Sequence, residues 1–262
     1  MRRLAVFMPF FALVAGACGF YVRLMERFHV FDATTGLPEP RATITLALIA
    51  VAAGFIIIIA VFSIRAGIKY TSQPGFENAF GTESLAYPFI ITLLCVVWFG
   101  AAVKYFIDAY ASFDLTAAEL YFAILSGLAS LAALFFAIEI YQDPKRKASL
   151  VLSVVPILFM CFWLIIMYKD NASNPILLSY CYYCLAIIFA TLSFYYTAGF
   201  VFKKPAPGKA IFVYLGSIFF CFITLADDHE TSLKLVFAVI IAMNVVYSSM
   251  LIRNLQKRGD MD

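Results

Sequence analysis

Residues 42–63 read ATITLALIAVAAGFIIIIAVFS, a run without a single charged side chain. A membrane-spanning helix needs about 20 mainly apolar residues, because about 30 Å of hydrocarbon is crossed at about 1.5 Å per residue. In lipid, the backbone polar groups must bond within their own segment, so a run of this length is expected to be helical. This stretch therefore predicts one complete transmembrane helix.

Similar apolar runs occur along the rest of the 262-residue chain. Together with residues 42–63 they predict eight transmembrane helices, at residues 4–22, 42–63, 85–107, 117–141, 149–168, 175–202, 210–226 and 232–252. The fold class predicted is an all-α polytopic helix bundle. Residues 1–262 are expected to form a single integral membrane domain without an extramembrane domain.

The overall composition agrees with a membrane location. Hydrophobic residues make up 64% of the chain and charged residues only 13%, whereas soluble domains are typically about 45–50% apolar and about 25% charged. These values exclude a soluble globular protein and a disordered chain. The net charge of +3 is too small to indicate an anionic polymer as partner, so no nucleic-acid binding is expected.

The segments between the apolar runs alternate in charge. We call the side of the membrane that holds the N-terminus side A and the opposite side B. All of the 19 Lys and Arg residues lie on side A except Arg23, Arg27, Arg41, Lys104, Lys169 and Lys234. Because cations in short loops stay on the cytoplasmic side, we expect side A and both termini to be cytoplasmic. The membrane predicted is a bacterial-type cytoplasmic (inner) membrane.

Three local patterns predict details of the bundle. Thr116-Ala-Ala-Glu119 has the spacing of a capping box at the start of the fourth span. Pro156 lies inside the fifth span and is expected to kink it. Phe76 and Phe80, on the side A loop after the second span, are four residues apart. They predict either a short interfacial helix or an irregular loop with two rings dipping into the membrane.

Cys181-Tyr-Tyr-Cys184 is the strongest candidate for redox chemistry. On a helix, residues three apart share a face, so the two thiols could meet. The pattern lacks the helix N-terminus or neighbouring cation that stabilises a thiolate, and buried Cys is also an ordinary small apolar residue. Structural packing is therefore favoured over a catalytic redox pair, and no other catalytic residue is predicted.

A dense polar cluster on side B is a candidate metal site. Its residues are His29, Asp227, Asp228, His229 and Glu230. Carboxylates and imidazoles bind divalent cations, but a solvated acidic loop accounts for the cluster more simply, so no metal is predicted. These two His are the only ones in the chain. A bis-histidine haem inside the membrane is therefore excluded, and no cofactor is predicted.

Few strongly polar side chains lie in the middle of the apolar runs. Asn244 is the most central of them, and the hydroxyl groups of Thr191, Ser217 and Thr224 could line a substrate cavity with it. An intramembrane Asn more often bonds a neighbouring helix than a substrate. The scarcity of buried carboxylates disfavours a proton-coupled transporter or a pump.

The side B segment Phe31-Asp-Ala-Thr-Thr-Gly-Leu-Pro38, after Arg23 and Arg27, resembles a segment of uncharacterised multi-pass bacterial membrane proteins. The resemblance is limited to residues 23–38 and implies no activity.

Three functions remain open at the level of the sequence. The first, which we favour, is a non-catalytic membrane component such as an anchor, sensor or assembly partner, with the lipid bilayer and a membrane-protein partner around it. The second is a transporter of a neutral or apolar small solute, with a water-accessible cavity near Asn244. The third is a membrane thiol oxidoreductase that uses Cys181 and Cys184.

The charge pattern gives a direct test of the topology. We expect reporter fusions after Lys147 to be active in the cytoplasm and fusions after Glu230 to be active outside it, because an odd number of predicted spans separates these sites. Paired fusions with a cytoplasmic and an extracytoplasmic reporter measure this. Placement of both sites in the same compartment would contradict the topology.

Overall fold

The computed structural model describes residues 2–31, 37–39, 42–82, 84, 86–111, 116–142 and 148–257, and these ranges are almost entirely helical. The elements in chain order are α1 (Arg2–His29), α2 (Thr43–Lys69), β1 (Tyr70–Thr71), α3 (Phe76–Phe80), α4 (Ala86–Ala111), α5 (Ala117–Gln142), α6 (Ala148–Leu152), α7 (Val155–Asn171), α8 (Leu177–Val201), α9 (Pro207–Thr224), α10 (Thr231–Asn254) and β2 (Gln256–Lys257).

Eight helical segments are long and apolar enough to cross a membrane, with α6 and α7 counted together as Ser149–Asn171. The predicted all-α bundle with eight spans is therefore confirmed. The predicted ends differ most at α1 and α2, which were expected to stop at Val22 and Ser63 and in fact continue to His29 and Lys69. The apolar runs end at Val22 and Ser63. The helices continue beyond these runs with charged residues near the ends of the bundle.

The last two spans, α9 and α10, form the centre of the bundle. In each of them 72% of the most apolar window is buried, compared with 17% in α2. Helix α9 packs against α1, α2, α8 and α10. The most apolar span, α2, is thus the least buried within the bundle, and the least apolar span, α9, shares the highest burial with α10. This order is expected in a membrane, where lipid rather than water is the solvent.

The fifth span is divided by Pro156, as the sequence suggested, but the result is a break rather than a kink. Helix α6 ends at Leu152 and α7 begins at Val155, with a turn between them. Proline has no N–H to donate to the preceding turn, so the helical bond at this point is lost. The Ser153 hydroxyl donates to the Leu150 carbonyl oxygen at 2.8 Å and satisfies one of the freed acceptors.

The capping box predicted before α5 is confirmed. The backbone N–H of Thr116 donates to Glu119 Oε2 at 2.8 Å, and the N–H of Glu119 donates to Thr116 Oγ1 at 3.3 Å. These two bonds satisfy amides that the first turn of a helix otherwise leaves without an acceptor.

Residues 76–80 do form a short helix, α3, but its two rings do not lie in the headgroup layer. Phe76 is 3% exposed and Phe80 is fully buried. Phe80 packs edge-on against Phe200 of α8 and Tyr247 of α10, and Phe76 packs edge-on against Phe136 of α5. The interfacial interpretation is therefore wrong, because the side A end of the bundle offers an apolar recess that buries both rings within protein.

The segment that carries α3 is also tied to the C-terminal part of the chain. Strands β1 and β2 pair antiparallel, with Tyr70 opposite Lys257. The Asn254 side-chain amide donates to the carbonyl oxygens of Ala79 and Gly81 at 3.0 and 2.9 Å. Together these contacts close the side A end of the bundle with a folded segment.

Removal of one of the rings tests this packing. We expect Phe80→Ala to lower the free energy of unfolding by about 3–5 kcal/mol, because a fully buried ring is replaced by a cavity. Phe89→Ala is the matched control, since Phe89 lies on α4 near the same end and is 69% exposed. Denaturant unfolding in detergent micelles measures both. Equal losses in the two variants would show that α3 is not packed into the bundle.

Candidate functional site

A cavity of about 570 Å³ opens at side B of the bundle, and we call it the side B cavity. It lies where α1 and α7 end, where α8 begins and beside the loop between α9 and α10. Its lining residues are Arg23, Arg27, Phe31, Asp170, Asn171, Ser179, Tyr180, Tyr183, Asp227, Asp228 and His229.

The last turns of α1 supply the cations of this cavity. Arg23, Glu26 and Arg27 stand three and four residues apart, so they lie on one face of the helix. Arg23 is 1% exposed and Glu26 is fully buried. A charged side chain with so little contact to solvent requires a countercharge and several hydrogen bonds.

The loop after α9 supplies the countercharge. The Thr224 hydroxyl, at the end of α9, donates to Asp227 Oδ2 at 3.3 Å, and the His229 N–H donates to the Asp227 carbonyl oxygen at 2.9 Å. These bonds hold the loop in a tight turn. The turn directs the Asp227 carboxylate towards α1.

Arg23 joins three separate parts of the bundle. Its Nε donates to Asp227 Oδ1 at 2.8 Å, and one terminal nitrogen donates to Glu26 Oε2 at 2.7 Å. The terminal nitrogens also donate to the carbonyl oxygens of Leu178 and Ser179, at 3.2 and 3.0 Å, in the first turn of α8. The planar guanidinium therefore links α1, the start of α8 and the α9–α10 loop through a single group.

The described charges around the cavity are unequal. Among the lining residues, the carboxylates of Asp170, Asp227 and Asp228 stand against the guanidinium groups of Arg23 and Arg27. Glu26 Oε1 is buried without a hydrogen-bond partner. Arg27 donates to the Ala226 carbonyl oxygen at 2.9 Å and lies 3.7 Å from the exposed Asp228 carboxylate. The described part of the site is therefore formally negative.

One wall of the cavity is aromatic. The Trp163 indole N–H donates to the Tyr183 hydroxyl oxygen at 2.7 Å, and the centroid of the Tyr183 ring lies 4.4 Å from that of His229. Burial lowers the pKa of His229, and the nearby Lys234 and Arg27 act in the same direction, against the opposing effect of Asp227 and Asp228. The imidazole is therefore neutral at pH 7 and does not offset the acidic charge.

The cavity contains a serine and a histidine, but they are not arranged for nucleophilic catalysis. The Ser179 hydroxyl donates to the Ile176 carbonyl oxygen at 2.7 Å and accepts from the Asn174 amide at 3.0 Å. His229 Nε2 is buried without a hydrogen-bond partner. Activation of a serine requires a base within hydrogen-bond reach of the hydroxyl, and this contact is not formed between the two residues.

The candidate thiol pair lies on α8, next in sequence to the lining residues Tyr180 and Tyr183. Cys181 and Cys184 are both partly buried, and neither is in a disulfide. The Cys181 thiol points to the Leu178 carbonyl oxygen at 3.9 Å, a weak contact within its own helix. The expectation that no helix N-terminus or cation lies near the pair is wrong, because α8 begins at Leu177 and Arg23 binds the carbonyl oxygens of Leu178 and Ser179 beside Cys181.

Of the four candidate substrate residues, the structure brings Asn244 and Ser217 into direct contact. The Asn244 amide donates to Ser217 Oγ at 3.1 Å and to the Ile240 carbonyl oxygen at 2.9 Å, in a contact between α10 and α9. Thr191 donates to its own helix at 2.7 Å, and Thr224 belongs to the turn at Asp227. None of the four lines the side B cavity.

The residues of the candidate metal cluster also point in different directions. Asp227 is engaged by Arg23, while the exposed His29 ring lies 3.0 Å from the Met25 carbonyl oxygen. Glu230 accepts from the Ser232 hydroxyl at 3.3 Å. Across the ranges that the structure describes, no three His, Cys, Asp or Glu side chains converge as a metal site.

The comparisons with known proteins give no family assignment. No family model matches the chain, and no curated protein or solved structure matches it. What is shown is the class, a multi-pass helical membrane protein.

The sequence pattern indicates a loop cluster at Asp227, Asp228 and His229 but does not indicate that Arg23 and Glu26 are buried beside it. The signal was present in the i, i+3, i+4 spacing that continues α1 past Val22. The partner of Arg23 lies 204 residues away along the chain. Only the folded bundle shows that contact.

Loss of the central cation tests the cluster. We expect Arg23→Met to lower the free energy of unfolding by about 3–5 kcal/mol, because it leaves two buried carboxylates without their countercharge. Lys104→Met is the matched control, since the Lys104–Asp108 pair lies at the same side with both side chains more than 40% exposed, and its loss costs less than about 1 kcal/mol. Denaturant unfolding in detergent measures both variants. A loss in Arg23→Met no greater than that in the control would show that Arg23 is not a structural link.

Proposed function

We propose that the protein is a non-catalytic membrane sensor that binds a small organic cation in the side B cavity. The observation that carries this proposal is the composition of the cavity, in which carboxylates outnumber guanidinium groups and aromatic rings complete the wall. A bound cation is stabilised electrostatically both by the carboxylates and by the negative faces of the aromatic rings.

Two exposed carboxylates of the lining are candidates to meet a ligand, one of which, Asp228, also pairs with Arg27 at 3.7 Å. Asp170 and Asp228 are exposed, and Asp170 has no salt-bridge partner among the residues described. Phe31, Tyr180 and Tyr183 provide partly buried aromatic surface beside them. This combination recognises an ammonium group, because the charge meets a carboxylate while the methyl or methylene groups meet the rings.

The cavity is also placed where binding would affect the whole bundle. Its lining includes Arg23 and Asp227, whose ion pair connects α1 to the α9–α10 loop. A second cation near Asp227 competes with Arg23 for the same carboxylate. Binding would thereby change the relative stability of two arrangements of these helices, which is the physical requirement for a sensor.

The non-catalytic part of the proposal is supported by the geometry at Ser179, whose hydroxyl is bonded to Ile176 and Asn174 rather than to His229. Asn244, the central residue of the transporter hypothesis, is bonded to Ser217 and Ile240. We further propose that side A faces the cytoplasm of a bacterial-type cell, which follows from the distribution of Lys and Arg. The cavity would then sample the extracytoplasmic space.

Binding of amines tests the proposed function. Choline and putrescine are titrated into the purified full chain in nanodiscs, with binding followed by calorimetry at pH 7. We expect Asp170→Asn and Asp228→Asn each to weaken binding by at least about fivefold, because a charge-assisted contact to an ammonium contributes more than 1 kcal/mol. Asp108→Asn is the matched control, as Asp108 is a side B carboxylate outside the cavity.

Three results would contradict the proposal. The first is no binding of either amine, and the second is equal weakening by Asp108→Asn and the two cavity variants. The third is accumulation of the bound amine inside proteoliposomes, which would make the protein a transporter rather than a sensor.

A further inference from the structure

A second cavity lies at side A, between the end of α2, the end of α8 and the start of α9. Its volume is about 650 Å³. It has two kinds of wall. Backbone and polar groups of Gly208, Lys209 and Ser63 lie towards the helix ends, and apolar side chains such as Ile64 and Phe212 line the part that extends along α2 and α9. We call it the side A groove.

The start of α9 presents unbonded amides to this groove. The helix has 18 residues, with Pro207 in its first turn, and no side chain caps it. Ala210 donates to the Ala206 carbonyl oxygen, whereas the N–H groups of Gly208 and Lys209 have no acceptor within the described ranges. Free amides and the positive end of the helix dipole favour an anion at this position.

A separate observation on α2 points to the same ligand. Ser63 lines the groove, is only 4% exposed, and its Oγ has no hydrogen-bond partner. A buried hydroxyl without a partner costs about 1–3 kcal/mol. An acceptor bound in the groove would accept the hydroxyl proton and remove this cost.

The start of α9 packs in close contact with α2 beside Ser63. Gly208 packs so closely on α2 that a Cβ atom at this position would lie 2.8 Å from the Ser63 carbonyl oxygen and 3.0 Å from Gly67 Cα. The close contact of two glycines fixes the start of α9 beside Ser63. The helix terminus, the hydroxyl and the groove are therefore held as one unit.

The apolar part of the groove identifies the rest of the ligand. Ala60, Ile64 and Gly67 lie on successive turns of α2 and line the groove over about 10 Å of helix length. Ile64 is 62% exposed, as expected of a lipid-facing residue. The groove begins at the end of two spans, which is the depth of the phospholipid headgroups.

We propose that the side A groove binds the phosphate group of an anionic membrane phospholipid. The phosphate oxygens accept from the amides of Gly208 and Lys209 and from the Ser63 hydroxyl, and the Lys209 ammonium adds a countercharge. An acyl chain follows the apolar wall past Ile64 and Ala60. A free phosphate ion can make the same polar contacts, but it has no acyl chain to pack against the apolar wall.

The experiment measures lipid binding by the delipidated full chain in detergent. Dioleoylphosphatidylglycerol is titrated and bound lipid is counted by native mass spectrometry, with dioleoylphosphatidylcholine as the reference lipid. We expect Lys209→Ala and Ser63→Ala each to weaken binding of the anionic lipid by at least about fivefold. Ser63→Ala removes an unbonded hydroxyl, so we also expect its lipid-free stability to be undiminished.

Lys204→Ala is the matched control. Lys204 is an exposed cation in the loop just before α9 but does not line the groove, so its loss should change the affinity by less than twofold. Ala60→Phe fills the apolar wall and should weaken lipid binding while Lys209 remains in place. Inorganic phosphate at millimolar concentration should not displace the lipid.

Two results would overturn the proposal. Equal weakening by Lys204→Ala and Lys209→Ala would show general attraction to a basic surface. Displacement of the lipid by inorganic phosphate, together with unchanged binding in Ala60→Phe, would show a site for free phosphate. Gel filtration and circular dichroism confirm that each variant is folded before it is compared.

Discussion

Arg23 carries a full charge at a position with 1% exposure, and the arrangement of side B follows from the need to neutralise it. A lone buried cation would be strongly destabilising, so Asp227 and Glu26 must both approach it, and carbonyl oxygens of α8 must accept its remaining protons. This requirement places three distant parts of the chain at one point.

Much of the architecture follows from composition and spacing. The number of spans, the capping box at Thr116 and Glu119, and the interruption at Pro156 are local properties, because each depends on residues within a few turns of one another. The positions of Arg23, Phe76 and Phe80 are not local. A charged or aromatic residue at the end of an apolar run has the same sequence pattern whether it meets headgroups or a neighbouring helix, and only the tertiary contacts distinguish the two environments. The side B cavity and the side A groove are each formed by three or more segments, so neither could be predicted from one run.

The two cavities at opposite ends of the bundle differ in chemistry, and the difference originates in α9. Its first turn, at side A, has free amides and the adjacent Lys209, whereas its last turn, at side B, leads into the acidic loop of Asp227 and Asp228. A single central helix thus presents a surface suited to anions at one membrane face and helps to form a surface suited to cations at the other. Because α9 contacts α1, α2, α8 and α10, a displacement at either end would be transmitted to most of the bundle.

The recess that holds α3 has a consequence for how the chain is made. Phe76 and Phe80 leave the ribosome early, yet the surfaces they contact belong to α5, α8 and α10, which are synthesised later. The contacts of Phe76 with α5 and of Phe80 with α8 can form before α10 is made, whereas the contacts with Tyr247, Asn254 and β2 require α10. Completion of this end of the molecule is thus coupled to synthesis of α10 and β2, and a chain truncated before α10 would lack the contacts that Tyr247, Asn254 and β2 make with this segment.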